Sequence, residues 1–342
     1  MGGFVLKYIS SIEKTKINGM TVGIVRFKET MECMSSAILN GGMTETDALF
    51  IMQVPHDYDE SDPVKHAASV RDLLKLPSNS VGMMTAAEVD YVFNIKEAVF
   101  GGVSAAAVAT GGLSNHVVAG DVLEDWKSRH EISLTRAARM MAGTINIALI
   151  TESPITDAGK INIFMPVVEG KSAAMGDLGF RETGTTSDSM AVISPKTGER
   201  ITYTGTGSKI GIASAKAVRA AVRCALLNRT EAPVPEKPLA MLKKLGYDEE
   251  KIRSMCGGDP DPEKFSEALH RILDGEEMRT FLDLLVFISC RADSFFRDGN
   301  KSVLPVVSGF CGSYLGTVPD LSEGVVKGAV KAIASKAYAE CR

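Results

Sequence analysis

Up to Asn228 the chain alternates short apolar runs of strand length with longer stretches whose apolar residues recur three or four positions apart. Then the texture changes. Ala232-Pro-Val-Pro-Glu-Lys-Pro238 carries three prolines in six residues and reads as a linker. Beyond it only helical segments follow, at 239–245, 249–255, 262–273, 278–292 and 322–339. This pattern predicts an α/β class over residues 1–231: a layered mixed sheet with flanking helices. Residues 232–342 form a C-terminal helical extension with no assigned role.

Within the first part, strands are expected at 19–27, 48–54, 81–84, 98–109 and 145–150. Residues 30–39 read as a helix stopped by Gly41-Gly42. Ser61-Asp62-Pro63 is a helix start running to about Leu74, and Thr85 caps a helix at 86–92. Helices are also expected at 134–142 and 209–228. The segment 157–179 reads as two helical pieces kinked or broken at Pro166. Residues 189–194 and 199–203 read as a hairpin around Pro195-Lys-Thr-Gly198. The longest uncharged run, 98–120, holds five glycines with Ser, Thr, Asn and His, so it reads as a buried strand and a polar turn rather than a membrane span.

Several function classes are disfavoured. A net charge of −4 and a pI near 5.8 give no basic footprint for nucleic acid. The six cysteines form no C-x-x-C pair and the five histidines show no ligand spacing, so neither a disulfide framework nor a metal site is expected. The N-terminus is charged too early for a signal peptide, which leaves a cytoplasmic protein as the expectation, with no membrane partner. The oligomeric state is open, a homo-oligomer included.

Four polar, glycine-bearing turns adjoin the apolar runs: 110–116, leading to Gly120-Asp121; 143–146; 182–188; and 204–209. Together they supply hydroxyls, amides and backbone N–H groups with few fixed charges, which suits a ligand rich in amides better than a polyphosphate. Gly205-Thr-Gly-Ser-Lys-Ile-Gly211 is one residue off the dinucleotide spacing. It reads as a tight turn into a helix; a nucleotide-binding enzyme built on it is the weakest of three functional readings. Met83, Met84, Met140 and Met141 read either as core or as adaptable apolar walls.

Six segments, in order and spacing over about residues 20–228, resemble the CbiZ-type adenosylcobinamide amidohydrolases. They include Met34-Ser-Ser-Ala-Ile-Leu-Asn-Gly-Gly42, Val81-Gly-Met-Met-Thr-Ala-Ala87, Ala109-Thr-Gly-Gly-Leu-Ser-Asn115, Gly143-Thr-Ile-Asn-Ile147, Val168-Glu-Gly-Lys171 and Glu182-Thr-Gly-Thr-Thr-Ser-Asp188. Two segments depart from the family pattern: Val168-Glu-Gly-Lys171 stands where Thr-Glu-Ala-Lys is usual, losing the hydroxyl at 168, and Glu182-Thr-Gly-Thr-Thr-Ser-Asp188 where Ala-Thr-Gly-Thr-Gly-Thr-Asp is usual, with Thr186 in place of a glycine. The resemblance implies hydrolysis of the aminopropanol amide of adenosylcobinamide, or its phosphate, to adenosylcobyric acid in cobamide salvage. The partner is a corrinoid substrate and no cofactor is implied.

Amide hydrolysis needs an activated nucleophile or water, an oxyanion donor and an acid for the leaving amine. Glu169 or Asp188 is assigned as base, and Lys171 or the N–H groups of 184–187 as oxyanion donors. A covalent route through Thr185 or Thr183 has no histidine beside it in sequence. Thr85, Ser114, Asn115, His116, Thr144, Asn146, Thr183, Gly184 and Thr186 are the candidate substrate-binding residues. Each has a plainer reading: Glu169 and Lys171 as surface charges, Asp188 as a turn cap, Asn115 and His116 as turn supports, Asp121 as a helix cap. A non-catalytic corrinoid-binding paralogue is the second functional reading, motivated by Val168, Thr186 and the added tail.

Overall fold

The computed structural model describes residues 5–121, 143–229, 237–275, 277–285, 303–322 and 324–342. The segment 134–142 with Met140 and Met141, the proline-rich stretch 230–236, and Cys290 lie outside the described residues. The chain divides into two compact units, Met1–Pro233 and Val234–Arg342.

The first unit is built on an eight-stranded mixed sheet. Its strands are β1 (Ile9–Ile17), β2 (Met20–Ser35), β3 (Gly42–Gln53), β4 (Val81–Thr85), β5 (Asn94–Phe100), β6 (Val103–Gly111), β8 (Ile145–Thr151) and β10 (Ser189–Ser194). The order is β4-β3-β2-β10-β8-β6-β5, with β1 on β2. The pairs β3–β4 and β8–β10 are parallel and the others antiparallel. A separate two-stranded ribbon joins β7 (His116–Val117) to β9 (Gly184–Thr185).

β2 corrects the expected helix at 30–39. Met31, Cys33 and Ser35 are buried while Thr30, Glu32 and Met34 are partly exposed, a period of two that suits a strand. Arg26 pairs with Ala48 and Met31 with Thr46, so residues 27–30 face Asp47 alone across a bulge. Thr30 donates to the Asp47 carboxylate at 2.6 Å and pins it. Gly41-Gly42 opens β3 instead of closing a helix. The expected strand at 98–109 is two strands, because Gly101 (φ 58°) and Gly102 (φ 81°) form a turn that β-carbons disfavour. The hairpin at 195–198 does not form: β10 already pairs with β2 on one edge and β8 on the other, leaving no edge for 199–203. Ile201 makes only an isolated bridge to Ile155.

The sheet folds over on itself. Val25, Leu49, Ile51, Ala106, Val108, Ala148 and Ile150 share one cluster and are all 0% exposed. Among the described residues, Val89, in the single turn α2 (Val89–Val92), is the one α-helical residue buried in that cluster. One half of the sheet therefore covers the other. A hydrogen bond from Asn146 Nδ2, at the start of β8, to the Met84 carbonyl at the end of β4 (2.8 Å) spans the two halves. The outer face of β2–β4 packs on α1 (Pro63–Leu73), which Asp62, not Ser61, caps through the Lys65 N–H. The outer face of β6, β8 and β10 packs on α3 (Asp157–Asp177) and α4 (Lys209–Leu227), giving layers α/β/β/α.

α3 is one helix through Pro166, not two pieces. Its buried stripe includes two lysines, Lys160 and Lys171, three turns apart. Lys160 is 0% exposed, and its ammonium donates to Glu32 Oε2 at 2.6 Å and to the Ile155 carbonyl at 3.2 Å. Arg200 grips the same carboxylate through both oxygens, at 2.5 and 3.0 Å. The cysteines at 33 and 311 are packed thiols; burial pushes Cys33 up to about 12 and Cys311 to about 11.

The second unit has α5 (Pro238–Lys244), α6 (Glu249–Ser254), α7 (Pro262–Leu273), α8 (277–285), α9 (Val303–Phe310) and α10 (Val325–Glu340). α6 and α7 are capped by Asp248 and Asp261. Phe265, Ala268, Leu269, Ile272 and Leu273 form the buried stripe of α7 within a core of its own.

Burial alone would raise the Glu32 carboxyl, but the hydrogen bonds from Arg200 and Lys160 outweigh it and hold the group below its ordinary value of 4.5. The unfolded chain therefore takes up this proton more readily than the folded one. The stabilisation is complete above about pH 4.5 and is lost as pH falls through the depressed value. Lys160→Met is expected to cost about 1.5–3 kcal/mol in urea unfolding at neutral pH, since it removes the buried ammonium and leaves Glu32 with Arg200 alone. The stability gap between wild type and Glu32→Gln should shrink on acidification; a gap indifferent to pH would refute this role for Glu32.

Candidate active site

Three of the four polar turns meet at one end of the sheet. β6 runs antiparallel to β8, and β8 parallel to β10, so the end of β6 lies beside the starts of β8 and β10. The turns 112–116, 143–144 and 182–188 therefore converge. Gly143 (φ 77°) is where they touch most closely: a β-carbon there would strike the Ser114 backbone N–H and side chain and the Asn115 amide. The Gly112 N–H donates to the Thr144 carbonyl at 3.1 Å, locking the first turn to the second. Thr144 Oγ1 and Ser187 Oγ lie 2.7 Å apart, and Asn115 Nδ2 donates to Thr186 Oγ1 at 2.6 Å, locking both to the third.

The centre of this convergence is Asp188. One carboxylate oxygen, Oδ1, accepts from Thr185 Oγ1 at 2.5 Å, from the Ile145 N–H at 3.1 Å and from the Thr185 N–H at 3.2 Å. The other, Oδ2, is ion-paired with Lys171, which reaches in from the buried stripe of α3. Lys171 and Asp188 side chains are 10% and 8% exposed, so the pair is largely dry. Gly184 makes room for it: a β-carbon there would collide with both Lys171 Nζ and Asp188 Oδ2. The arrangement is a hydroxyl held by a carboxylate that a buried ammonium fixes from behind.

The ribbon β7–β9 frames the same centre. Its register sets His116 opposite Thr185 and Val117 opposite Gly184. His116 Nδ1 lies 3.3 Å from Glu182 Oε1. Thr183 is structural in its recorded contacts: its N–H donates to the Val117 carbonyl, and its hydroxyl accepts from the Ala119 N–H at 2.9 Å.

Lys171, Asp188, Thr185, Gly184, Thr186, Asn115, His116, Thr144, Ser114 and Thr183 are thus brought together. Glu169 is not. It lies two residues from Lys171, about 200° around the helix, on the exposed side. Asn146 turns to the opposite face of β8, where its amide bonds Met84 O and Thr110 Oγ1 between the two halves of the sheet. Thr85 is 0% exposed and accepts from the Ala87 N–H at 3.1 Å. Met83 and Met84 are each 1% exposed and belong to the core rather than to a ligand wall.

The fourth turn is elsewhere. Thr204 bonds the Gly159 carbonyl and Asn162, and Ser208 caps α4. Along α3, Asn162 and Lys171 are separated by about 14 Å. Two members escaped the sequence reading. Ser187 was hidden among like residues, while Glu182, a lone charge opening a run of hydroxyls, was a legible signal. Among the described residues no three His, Cys, Asp or Glu side chains group as metal ligands, and no helix is long and apolar enough to cross a membrane.

Residues 6–233 match the family model described as adenosylcobinamide amidohydrolase. An adenosylcobinamide amidohydrolase of Methanosarcina mazei is 24% identical over 213 residues, covering 60% of this chain and 94% of that protein. One of Halobacterium salinarum is 35% identical over 101 residues, 29% of this chain and 43% of that protein. The solved structure of the L-aminopeptidase D-Ala-esterase/amidase of Ochrobactrum anthropi aligns with 65% of this chain and 82% of its own at 13% identity, with a TM-score of only 0.33.

Gly184→Ala tests the packing. Its methyl would force the Lys171–Asp188 pair apart, and an expected loss of about 1–3 kcal/mol should appear in thermal unfolding. Gly205→Ala, whose β-carbon would meet nothing closer than Asn162 Oδ1 at 3.4 Å, is the control and should change stability by less than about 0.5 kcal/mol. Equal effects of the two changes would contradict the close approach at Gly184.

Proposed function

The chain belongs to the adenosylcobinamide amidohydrolase family, and on that premise we propose that it hydrolyses the amide joining aminopropanol to the corrin ring of adenosylcobinamide, or of its phosphate. The products are adenosylcobyric acid and the amino alcohol, a step of cobamide salvage. The observation that carries this reading is the 2.5 Å contact between Thr185 Oγ1 and an Asp188 carboxylate whose other oxygen is paired with Lys171.

Thr185 is the nucleophile of this proposal. Asp188 accepts its hydroxyl hydrogen as the oxygen attacks the amide carbon. Lys171 keeps that carboxylate aimed and supplies positive charge beside the developing oxyanion. Of the loop N–H groups, that of Thr185 is engaged by Asp188 and that of Thr186 by the Asn115 carbonyl. The Ser187 N–H donates to Thr185 Oγ1 at 3.4 Å and so lies beside the reacting oxygen. Glu169, assigned as a base from sequence, has no part here.

Neither departure from the family pattern disturbs this centre. Val168 is 42% exposed on the outer side of α3. Thr186, in place of glycine, accepts a hydrogen bond from the Asn115 amide through its hydroxyl oxygen. Both facts favour an active enzyme over a binding-only paralogue.

Incubation with adenosylcobinamide and mass detection of adenosylcobyric acid tests the reaction. Thr185→Ala should lower the rate by at least about 10³-fold, with Thr185→Ser recovering part of it. Lys171→Met should cost about 10²–10³-fold. Binding without product in the wild-type chain would favour the paralogue. A Thr185→Ala enzyme within about tenfold of wild type would remove Thr185 from the chemistry.

A further inference from the structure

The chemistry at Thr185 leaves most of so large a substrate unaccounted for. A corrin ring is broad and largely apolar, and the convergent turns offer it only hydroxyls and amides. The sheet face beside α3 offers more. Val192 of β10 is directly opposite Met34 of β2, and Met34 is directly opposite Met43 of β3. Directly opposed residues project to one face, so these side chains form a row across three strands. Met190, two positions before Val192, shares that face. Val192 is fully buried in the core beneath α3, Met34 and Met190 are half-buried, and Met43 is 52% exposed. The row thus emerges from under the helix into the open.

α3 overhangs this row. Its two buried lysines point to that side: Lys160 reaches Glu32 of β2, and Lys171 reaches Asp188 at the start of β10. Gly170, about 100° to one side of Lys171, abuts Ala215 and Val218 of α4. Val168 lies about 60° to the other side, away from α4, and Ile161 and Met165 continue its flank. All three are exposed, at the i, i+4 and i+7 spacing of one helical stripe. The stripe and the methionine row are two sides of an open apolar shelf. It ends at the reaction centre, for Met190 is two residues from Asp188 and Val168 is one turn from Lys171. Ser36 and Ser189, with hydroxyls 3.3 Å apart, put neutral polar groups at that end. Farther along the same face Glu45 and Lys196 pair with each other at 2.6 Å, so their charges cancel.

We propose that this shelf binds the apolar face of the corrin ring, so that the aminopropanol arm reaches Thr185. The inference rests on the amide hydrolysis proposed above. Single exposed apolar residues are ordinary, but a group of them running into a reaction centre marks a ligand surface. Methionine suits an uneven macrocycle with projecting amide arms, because its unbranched thioether adapts to irregular shapes. The walls expected at Met83 and Met84 are core, and Met34, Met43 and Met190 take that role instead. Val168, where threonine is usual, adds an apolar side chain next to Lys171. The shelf was hidden in the sequence because strand register and helix phase alone bring its two sides together.

Met43→Asp and Val168→Asp each place a carboxylate where the ring would lie, at positions exposed enough to tolerate it in the fold. Titration with adenosylcobyric acid reads ring binding alone, since this product lacks the scissile amide. Each variant should raise its Kd by at least about tenfold. KM for adenosylcobinamide should rise in step, the loss falling on KM rather than on kcat. Val99→Asp, at an exposed apolar position of β5 on the opposite edge of the sheet, is the control and should bind as wild type does. Unchanged Kd and KM in both shelf variants of a chain that hydrolyses adenosylcobinamide would overturn the shelf alone. Shelf variants that bind the ring normally but sediment as a smaller species than wild type would also overturn it, assigning the surface to a second copy of the chain. A wild-type chain that binds adenosylcobyric acid yet releases no aminopropanol would sink the reaction, with loss of binding in the two variants still supporting the shelf. A wild-type chain that binds no corrinoid would overturn both.

Discussion

A buried ammonium facing a buried carboxylate is the interaction on which the site depends. Taking Lys171 and Asp188 out of water costs several kcal/mol per charge, and their attraction offsets this only when the remaining lone pairs are also satisfied. Here they are. Asp188 accepts from the Thr185 hydroxyl, the Thr185 N–H and the Ile145 N–H as well as from Lys171. Between them these bonds tie three elements to the carboxylate: the start of β8, the ribbon strand β9 and the helix α3. The carboxylate that prepares Thr185 is thus also the peg that fixes its own turn to the start of β8 and to α3.

The helix that delivers Lys171 is held by a second pair of the same kind. Lys160, three turns earlier on the buried stripe, is clamped to Glu32 in β2, with Arg200 on the other side of that carboxylate. The two lysines stay in phase because α3 runs unbroken through Pro166. A break there would rotate one lysine away from its partner. Packing of α3 across β8 and β10 and against α4 outweighs the backbone hydrogen bond that proline forgoes.

Much of this was legible in the sequence, and the failures have physical causes. The helix starts at 63, 209, 249 and 262 were legible, and the structure caps each with the residue before it, Asp62, Ser208, Asp248 and Asp261, a local interaction. The strand at 30–35 was missed because its alternation is interrupted by a bulge whose partner, Asp47, is remote in sequence. The hairpin at 195–198 failed because local turn chemistry cannot reveal that β10 has no free edge. In the site, the three convergent turns could be named, since glycine beside small hydroxyl residues makes a poor core. The fate of Glu169 and Asn146 could not, because it depends on which way a helix face or a strand face turns. Lys160 was invisible for the opposite reason: a lysine amid apolar helix residues ordinarily snorkels to solvent, and only Glu32, 128 positions away, keeps it inside.

The central claim is that this peg prepares Thr185 to form a covalent ester. Partitioning with hydroxylamine measures that most directly. During turnover of adenosylcobinamide, added hydroxylamine should intercept the ester and yield the hydroxamate of adenosylcobyric acid in competition with the acid, while aminopropanol release does not slow. Continued aminopropanol release with the acid as sole corrinoid product at every hydroxylamine concentration would contradict the account and assign the attack to water.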